Sequence, residues 1–420
     1  MSDDYSEDKL VEGSAEQVLK ELGWQVIYAW GKETFGDNGL LGRDNKSEVI
    51  LTRYLRSALK KFNPDLPDTV YEQAIQHIIE QPADKTLVKI NQEKHELLTQ
   101  GIKVTYQDEK KQLIEKRLRV FDFDNPFNNE FIAVRQLQIQ GEVYHCRPDM
   151  IGFVNGIPLL LIEFKVHYTK LIDGYEKNLT DYKLKIPAIF YCNAFIILSN
   201  GLDTKIGTLT SPYKYFLEWK RIKEHDEGIV SLDTVLRGTC DPKHLMDIFE
   251  NFLLFDDGGS EGHITKLIAR NHQYIGVNKV IKQMHYIEHV KGKLGVFWHT
   301  QGSDKSYSII FLCQKIHRKF GGAYTFLIVA DRSELENQLY DNFTSVGAIT
   351  EKVPKAVVAT NRQDLRRLLA ENHRYVFTLI HKFSFDPKKE NEYPLITERK
   401  NIIVISDEAH RTQAGKFAQN

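Results

Sequence analysis

Residues 147–165 read RPDMIGFVNGIPLLLIEFK, with Asn155-Gly156 between two apolar runs. Asn-Gly flanked in this way is a strong signal for a tight two-strand hairpin. A hairpin fixes register, and register decides which side chains share a face, because successive residues of a strand point to opposite sides. The run IPLLLIEFK is apolar until it presents Glu163 and Lys165, two residues apart and so on one face. A two-residue turn would set Asp149 opposite Ile162 and leave Glu163 on the wrong face. Asp149 and Glu163 can share a face and a metal site only if the turn takes a third residue or a bulge lies further along. Such an irregularity is therefore expected.

Upstream, the pattern predicts a helix over 6–22, capped by Ser6, with Glu7 and Asp8 in its first turn and Gly23 as its stop. Further helical stripes cover 48–62 and lie near 68–80 and 84–100. From Ile102 the pattern turns to short β-rich runs. A polar helix near 174–185 and the strand AFIILS follow. The stretch 222–242 is polar, rich in turn residues and weakly periodic, and predicts a domain boundary, giving domains 1–230 and 231–420. Beyond it LGVFW reads as a short buried strand and SIIFLCQKIHRKF as an apolar helix. YTFLIVAD, YVFTLI and NIIVIS read as further strands. That alternation predicts βαβ units and a parallel sheet, with ligands at the carboxyl ends of its strands. The fold class expected is α/β throughout.

The chain has 420 residues, 42% hydrophobic and 27% charged, with a net charge of −1. Its size calls for two or more cores, and any nucleic-acid surface must be a local patch. The acidic N-terminus has no signal-peptide character. No apolar run approaches the ~20 residues of a membrane span. Cys146, Cys192, Cys240 and Cys313 are widely spaced and match no zinc pattern, as expected of buried thiols in a reducing compartment.

The string HTQGSDKS, His299 to Ser306, follows the expected strand LGVFW and precedes a helix. In that context Thr300, Gln301, Gly302, Ser303 and Asp304 would cradle phosphates with their backbone. Lys305 would neutralise the outer phosphates, and Ser306 would hold Mg²⁺. Asp304 stands where such loops carry glycine. Downstream, ISDEAH ends another apolar strand. Asp407 suits a Mg²⁺ shell and Glu408 suits polarisation of the attacking water. In the first half, Asp149, Glu163 and Lys165 can bind Mg²⁺ on a scissile phosphate and stabilise its transition state. Spacings this loose are common by chance, and taken alone this one favours an ordinary strand ending in solvent.

A DEAH box about a hundred residues after a P-loop resembles the first motor domain of superfamily 2 helicases and translocases. The longer strings GVFWHTQGSDKS, LIVADRSELENQL, FTLIHKF, DEAHRTQAG and RPD…NGIPLLLIEFK resemble the R subunit of type I restriction enzymes, over almost the whole chain. The resemblance implies a PD-(D/E)xK nuclease followed by the first RecA-like motor domain. It implies Mg²⁺ and ATP as cofactors, duplex DNA as substrate, and methyltransferase and specificity subunits as cytoplasmic partners. Gln273 falls in the place of the adenine-reading glutamine, and His410 in that of a coupling residue. Glu12, with Glu16 as the alternative, matches an acidic residue of the N-terminal helix near the metal site. Asn178 and Tyr182 match a Gln-x-x-x-Tyr pair, with an amide one methylene shorter. The same resemblance implies a longer subunit, with a second RecA-like domain beyond Asn420, so this stretch by itself is not expected to translocate DNA. Two alternatives remain: a repair nuclease-helicase without a methyltransferase partner, and a chain whose ATP site has decayed through Asp304.

Overall fold

The computed structural model describes residues 7–80, 84–107, 110–258, 263–298, 304–349, 353, 355–383 and 395–407. The chain forms two compact units. One consists of Met1–Leu254 with Ile264–Ile275, the other of Phe255–His263 with Gly276–Asn420. Among the described residues, no helix is long and apolar enough to cross a membrane.

The first unit is built on a six-stranded mixed sheet. Its strands, in spatial order, are β1 (Gln25–Tyr28), β2 (Phe131–Arg135), β3 (Met150–Val154), β4 (Ile157–Phe164), β5 (Phe195–Ser199) and β6 (Thr204–Gly207). The outer pair β1–β2 is parallel, and so is β4–β5; the remaining neighbours run antiparallel. Every residue of β3 and β4 is buried, which explains why their sequence is apolar without alternation. On one face Ile132, Val134, Ile151, Phe153, Leu161 and Leu198 join a core with Leu171, Leu179 and Tyr182. The last three belong to the expected polar helix, which spans 171–185 as α-helix, one turn of π-helix at Gly174–Leu179, and α-helix again.

The β3–β4 hairpin carries the expected irregularity. Val154 pairs with Ile157 and Phe153 with Pro158 around a two-residue turn, as Asn-Gly prescribes. Asn155 and Gly156 take φ of 50° and 80°, the left-handed backbone that turn requires. Then Gly152 pairs with Leu160, Ile151 with Leu161 and Met150 with Ile162, so Leu159 is the extra residue of a bulge. Side chains at both glycines are excluded by contact. A Cβ on Gly152 would come 2.9 Å from that of Leu160, and one on Gly156 would come 2.3 Å from the Leu51 carbonyl. From the bulge onward the pairing runs toward Asp149 opposite Glu163.

Two expectations change. The stretch 222–242 holds a helix, Leu232–Thr239, capped by Ser231, whose hydroxyl accepts from Thr234 N at 3.0 Å. It and the following helix Pro242–Asn251 belong to the first unit, past the boundary expected at 230. Leu232, Val235 and Leu236 are its buried stripe, short enough to be masked by polar neighbours. The strand Thr265–Ile268 is also fastened to this unit. Lys266 is fully buried and donates to Asn91 Oδ1 at 2.9 Å and to the Asn193 carbonyl at 2.5 Å.

The second unit contains three parallel strands, with β7 (Thr325–Ala330) between β8 (Tyr375–Leu379) and β9 (Ile402–Ser406). Leu327, Val329 and Val376 pack against Leu365, Leu368 and Leu369 of the helix Arg362–Ala370. The expected strand LGVFW does not form: residues 294–298 are irregular and join no pair of this sheet. Val296 and Trp298 are 79% and 90% exposed. Apolar composition makes a buried strand only where a ladder neighbour receives it.

The hairpin turn is pinned by Asn155, whose buried side chain accepts from Glu130 N at 2.8 Å and donates to the Val120 carbonyl and Asn129 Oδ1, each at 2.8 Å. Asn155→Ala should destabilise the first unit by about 2–4 kcal/mol, from orphaned partners and a left-handed alanine. Asn155→Gly should recover about 1 kcal/mol of that loss. Urea unfolding of the three proteins measures both differences; a loss below about 1 kcal/mol in the alanine variant would show that the turn does not depend on this side chain.

Candidate active site

The bulge brings the hairpin acids together on the face covered by 171–185. Asp149, just before β3, accepts through Oδ2 from Phe164 N at 2.8 Å and through Oδ1 from Gln136 Nε2 at 3.1 Å. Glu163 is almost wholly buried near the end of β4. Its Oε1 accepts from Lys165 Nζ at 3.2 Å and from Asn178 Nδ2. The Tyr182 hydroxyl donates to the same carboxylate, 3.2 Å from Oε2. Asn178 lies on the π-helical turn and Tyr182 one turn later. The shorter amide therefore does reach Glu163.

Helix Glu7–Glu21 contributes Glu12, which is buried. Its Oε2 pairs with Arg135 Nη2 at 2.6 Å and its Oε1 accepts from Gln136 Nε2 at 2.9 Å. Glu16 pairs with Arg135 and with Lys20 and makes no contact with Gln136. Of the two acids, Glu12 is the one joined to Asp149, through a single amide. Arg135 and Gln136 could not be singled out in the sequence; a strand end reading VRQLQ carries no motif.

Burial, and then the charge of Glu163, push the Asp149 carboxyl well above the usual carboxylate range. Burial and the same acids push the Tyr182 hydroxyl upward too, so it stays a neutral donor. Two crowded carboxylates served mainly by neutral donors fit a hard divalent cation. Among the described residues no three His, Cys, Asp or Glu side chains converge into a cluster. Two carboxylates suffice for a cation of the Mg²⁺ kind, which keeps much of its water.

In the second unit, Lys305 begins the helix Lys305–Phe320 and Ser306 follows it. Asp407, just past β9, bonds through its N–H to the Val329 carbonyl at 2.9 Å. Its carboxylate lies 4.0 Å from Lys305 Nζ. The lysine and the acid expected to flank phosphates and metal are thus brought together at the ends of neighbouring elements. Asp304 caps the helix with φ 55° and ψ 50°, a left-handed conformation, and its side chain makes no capping bond. Thr300, Gln301, Gly302, Ser303, Glu408 and His410 lie outside the described residues. Gln273 is buried in the part of its helix that belongs to the first unit, and its Oε1 accepts from Arg270 N at 2.8 Å.

The family model described as "Type I restriction enzyme R protein N terminus" matches residues 4–215. The chain belongs to this family. A second model, "SWI2/SNF2 ATPase", matches residues 272–420. The chain is 35% identical over 412 residues to the type I restriction enzyme HindI endonuclease subunit of Haemophilus influenzae, covering 95% of this chain and 38% of that protein. It is 30% identical over 453 residues to a Methanocaldococcus jannaschii protein named for the type I restriction enzyme MjaIXP endonuclease subunit, covering 99% and 41%. It thus spans about two-fifths of the length of these relatives. A nuclease-type α/β unit followed by an SNF2-like ATPase region is the architecture of this R-protein chain.

Two outcomes test the electrostatics of the sites. Because the folded pKa of Asp149 is raised, the native protein holds a proton that the unfolded chain has released. Stability therefore falls as pH rises from about 4 through the raised value. In EDTA, Asp149→Asn orphans one N–H donor at every pH but removes the pH-dependent penalty, so its melting midpoint relative to wild type should be roughly 2–4 °C higher at pH 8 than at pH 4, as about 1 kcal/mol does for a unit of this size. An equal difference at both pH values would show that the carboxylate is not strained. For the motor, Asp304→Gly should tighten ATP binding at least tenfold. A left-handed non-glycine backbone is relieved, and two like charges ~4 Å apart at an effective dielectric of ~20 repel by roughly 4 kcal/mol. Titration calorimetry reads the change, and equal affinity would mean that the carboxylate avoids the phosphates.

Proposed function

We propose that this chain is the nuclease and first motor part of a type I restriction R subunit, a Mg²⁺-dependent, ATP-dependent deoxyribonuclease acting on duplex DNA. The observation that carries the reading is the bulged hairpin, which sets Asp149 and Glu163 on one face with Lys165 at 3.2 Å from Glu163. The domain reading is a PD-(D/E)xK nuclease followed by a RecA-like motor, expected from the sequence over 1–230 and 231–420, with the first compact unit reaching Leu254. The whole enzyme would be cytoplasmic and would act with methyltransferase and specificity subunits, the latter choosing the DNA sequence.

Asp149 and Glu163 would hold Mg²⁺. When bound, the ion supplies neutralisation of the scissile phosphate, without which attack on an anion is repelled. Asn178 and Tyr182 fix the Glu163 carboxylate by hydrogen bonds to its oxygens. Lys165 presents a cation beside the same carboxylate, where it can stabilise the five-coordinate phosphorus of the transition state or hold the attacking water. Glu12 supports the metal side through its link to Asp149. In the motor, Lys305 and the loop backbone would grip ATP phosphates, Ser306 and Asp407 the metal, and Glu408 the hydrolytic water. Gln273 would read adenine, and His410 would couple hydrolysis to movement along DNA.

In the assembled enzyme, Ala in place of Asp149, Glu163 or Lys165 should cut DNA cleavage by at least a hundredfold, the scale of losing a charge-stabilising group, and leave DNA-stimulated ATP hydrolysis within about twofold. Collapse of both activities in a folded variant would show that the two sites are not separable.

A further inference from the structure

We propose that Gln136 is a positioning residue of the nuclease site, holding Asp149 in the orientation in which it ligates metal by tying it to Glu12. This rests on the nuclease reading above and goes beyond it.

Gln136 follows the last residue of β2. Its Nε2 has two hydrogens, and both are used: one toward Glu12 Oε1 at 2.9 Å, the other toward Asp149 Oδ1 at 3.1 Å. Its backbone N–H donates to the Asp149 carbonyl at 2.9 Å. One residue therefore grips the main chain and the side chain of Asp149, while Phe164 N holds the other carboxylate oxygen. Among the described residues, no other side chain hydrogen-bonds to both the helix acid and the hairpin acid.

The backbone supports the assignment. Arg135 and Gln136 are consecutive, yet both side chains close on the Glu12 carboxylate. In a regular strand they would point to opposite faces. Gln136 takes φ 54°, a left-handed conformation that breaks this alternation and is disfavoured for a side chain of its kind. Left-handed non-glycine residues persist where surrounding contacts over-determine them, and they cluster at functional sites. A residue kept only for the turn would be glycine; the amide is what glycine lacks. The charge pattern agrees. Arg135 already neutralises Glu12, so the amide joins a paired acid to an unpaired one and adds no second cation that would repel a metal.

The test uses Mn²⁺ titrated calorimetrically into the chain without nucleotide, with thermal melting in EDTA alongside. Wild type should bind Mn²⁺, and Asp149→Asn should lose that binding. Gln136→Gly keeps the left-handed backbone free of strain and removes only the amide. It should weaken Mn²⁺ binding about tenfold while its melting midpoint stays level or rises. Gln136→Asn, which keeps an amide donor on a shorter stem and tolerates the left-handed backbone, should recover part of that binding at pH 8. Undiminished affinity in Gln136→Gly overturns the inference, and so does a fall in its melting midpoint that accompanies the lost affinity, since the role would then be structural. Mn²⁺ binding that Asp149→Asn leaves intact, or none in wild type, would instead overturn the nuclease reading itself.

Discussion

One extra residue in one strand organises the first unit. Leu159 has no partner across the β3–β4 ladder, and the shift it introduces between Gly152 and Phe153 decides which acids share a face. Without it the pairing around Asn155-Gly156 would leave Asp149 opposite Ile162, with Glu163 turned away. The bulge is permitted because Gly152 lets the Leu160 Cβ and the Trp24 ring approach closely. It is held because the turn is locked on both sides. Asn155 anchors it to 120–130, and the Gly156 carbonyl accepts from Leu51 N at 2.9 Å, just before the helix Thr52–Phe62. A hairpin pinned at its tip and shifted along its length delivers its chemistry at the open end.

That delivery runs against electrostatics. Asp149 and Glu163 crowd each other in a place where water is scarce, and the neighbours that hold them are mostly neutral N–H and O–H groups. Among the described residues Lys165 is the single cation bonded to Glu163, and Arg135 is engaged by Glu12 and Glu16. Neutral donors fix orientation without cancelling charge. The site is thus shaped but left electrically short of a cation, which is the condition a metal-dependent phosphodiesterase needs.

Much of this was legible in the sequence, and the reasons for what was not are specific. Asn155-Gly156 announced the hairpin, and a shared face for Asp149 and Glu163 required either a third turn residue or a bulge, of which the hairpin has the bulge. The parallel strands Thr325–Ala330, Tyr375–Leu379 and Ile402–Ser406 were readable as apolar runs between helices. LGVFW had the same composition but joins no pair in the sheet, because strand formation belongs to the neighbour as much as to the run. The reach of the first unit past 230 was hidden because it depends on long-range polar contacts. Trp24 Nε1 donates to the Cys240 carbonyl at 2.8 Å, and Lys266 buries its amine against Asn91 and Asn193. Burial holds that amine down to about 7, and no periodicity signals a lysine inside a core. Gln136 was illegible for the same reason: its amide bonds reach Glu12, 124 residues away, and Asp149, 13 residues away.

Left-handed backbone recurs at residues of interest in each unit. Asn155, Gln136 and Asp304 are all left-handed without being glycine. Asparagine pays little for this conformation and recovers it in three hydrogen bonds. Glutamine recovers it by bridging two acids. Asp304 has no capping bond to set against the strain. What favours an acid there is the helix it begins, because the partial positive charge of a helix N-terminus stabilises an anion by about 0.3–1 kcal/mol. The same end of the same helix is where a phosphate would be held. Carboxylate and phosphate are thus alternative occupants of one field, and their mutual repulsion at close range, roughly 4 kcal/mol at ~4 Å, exceeds what the helix gives either acid. The position favours an acid while no phosphate is near and would oppose a phosphate held at the same helix end, by an amount that depends on how far the Asp304 side chain can swing from the helix axis.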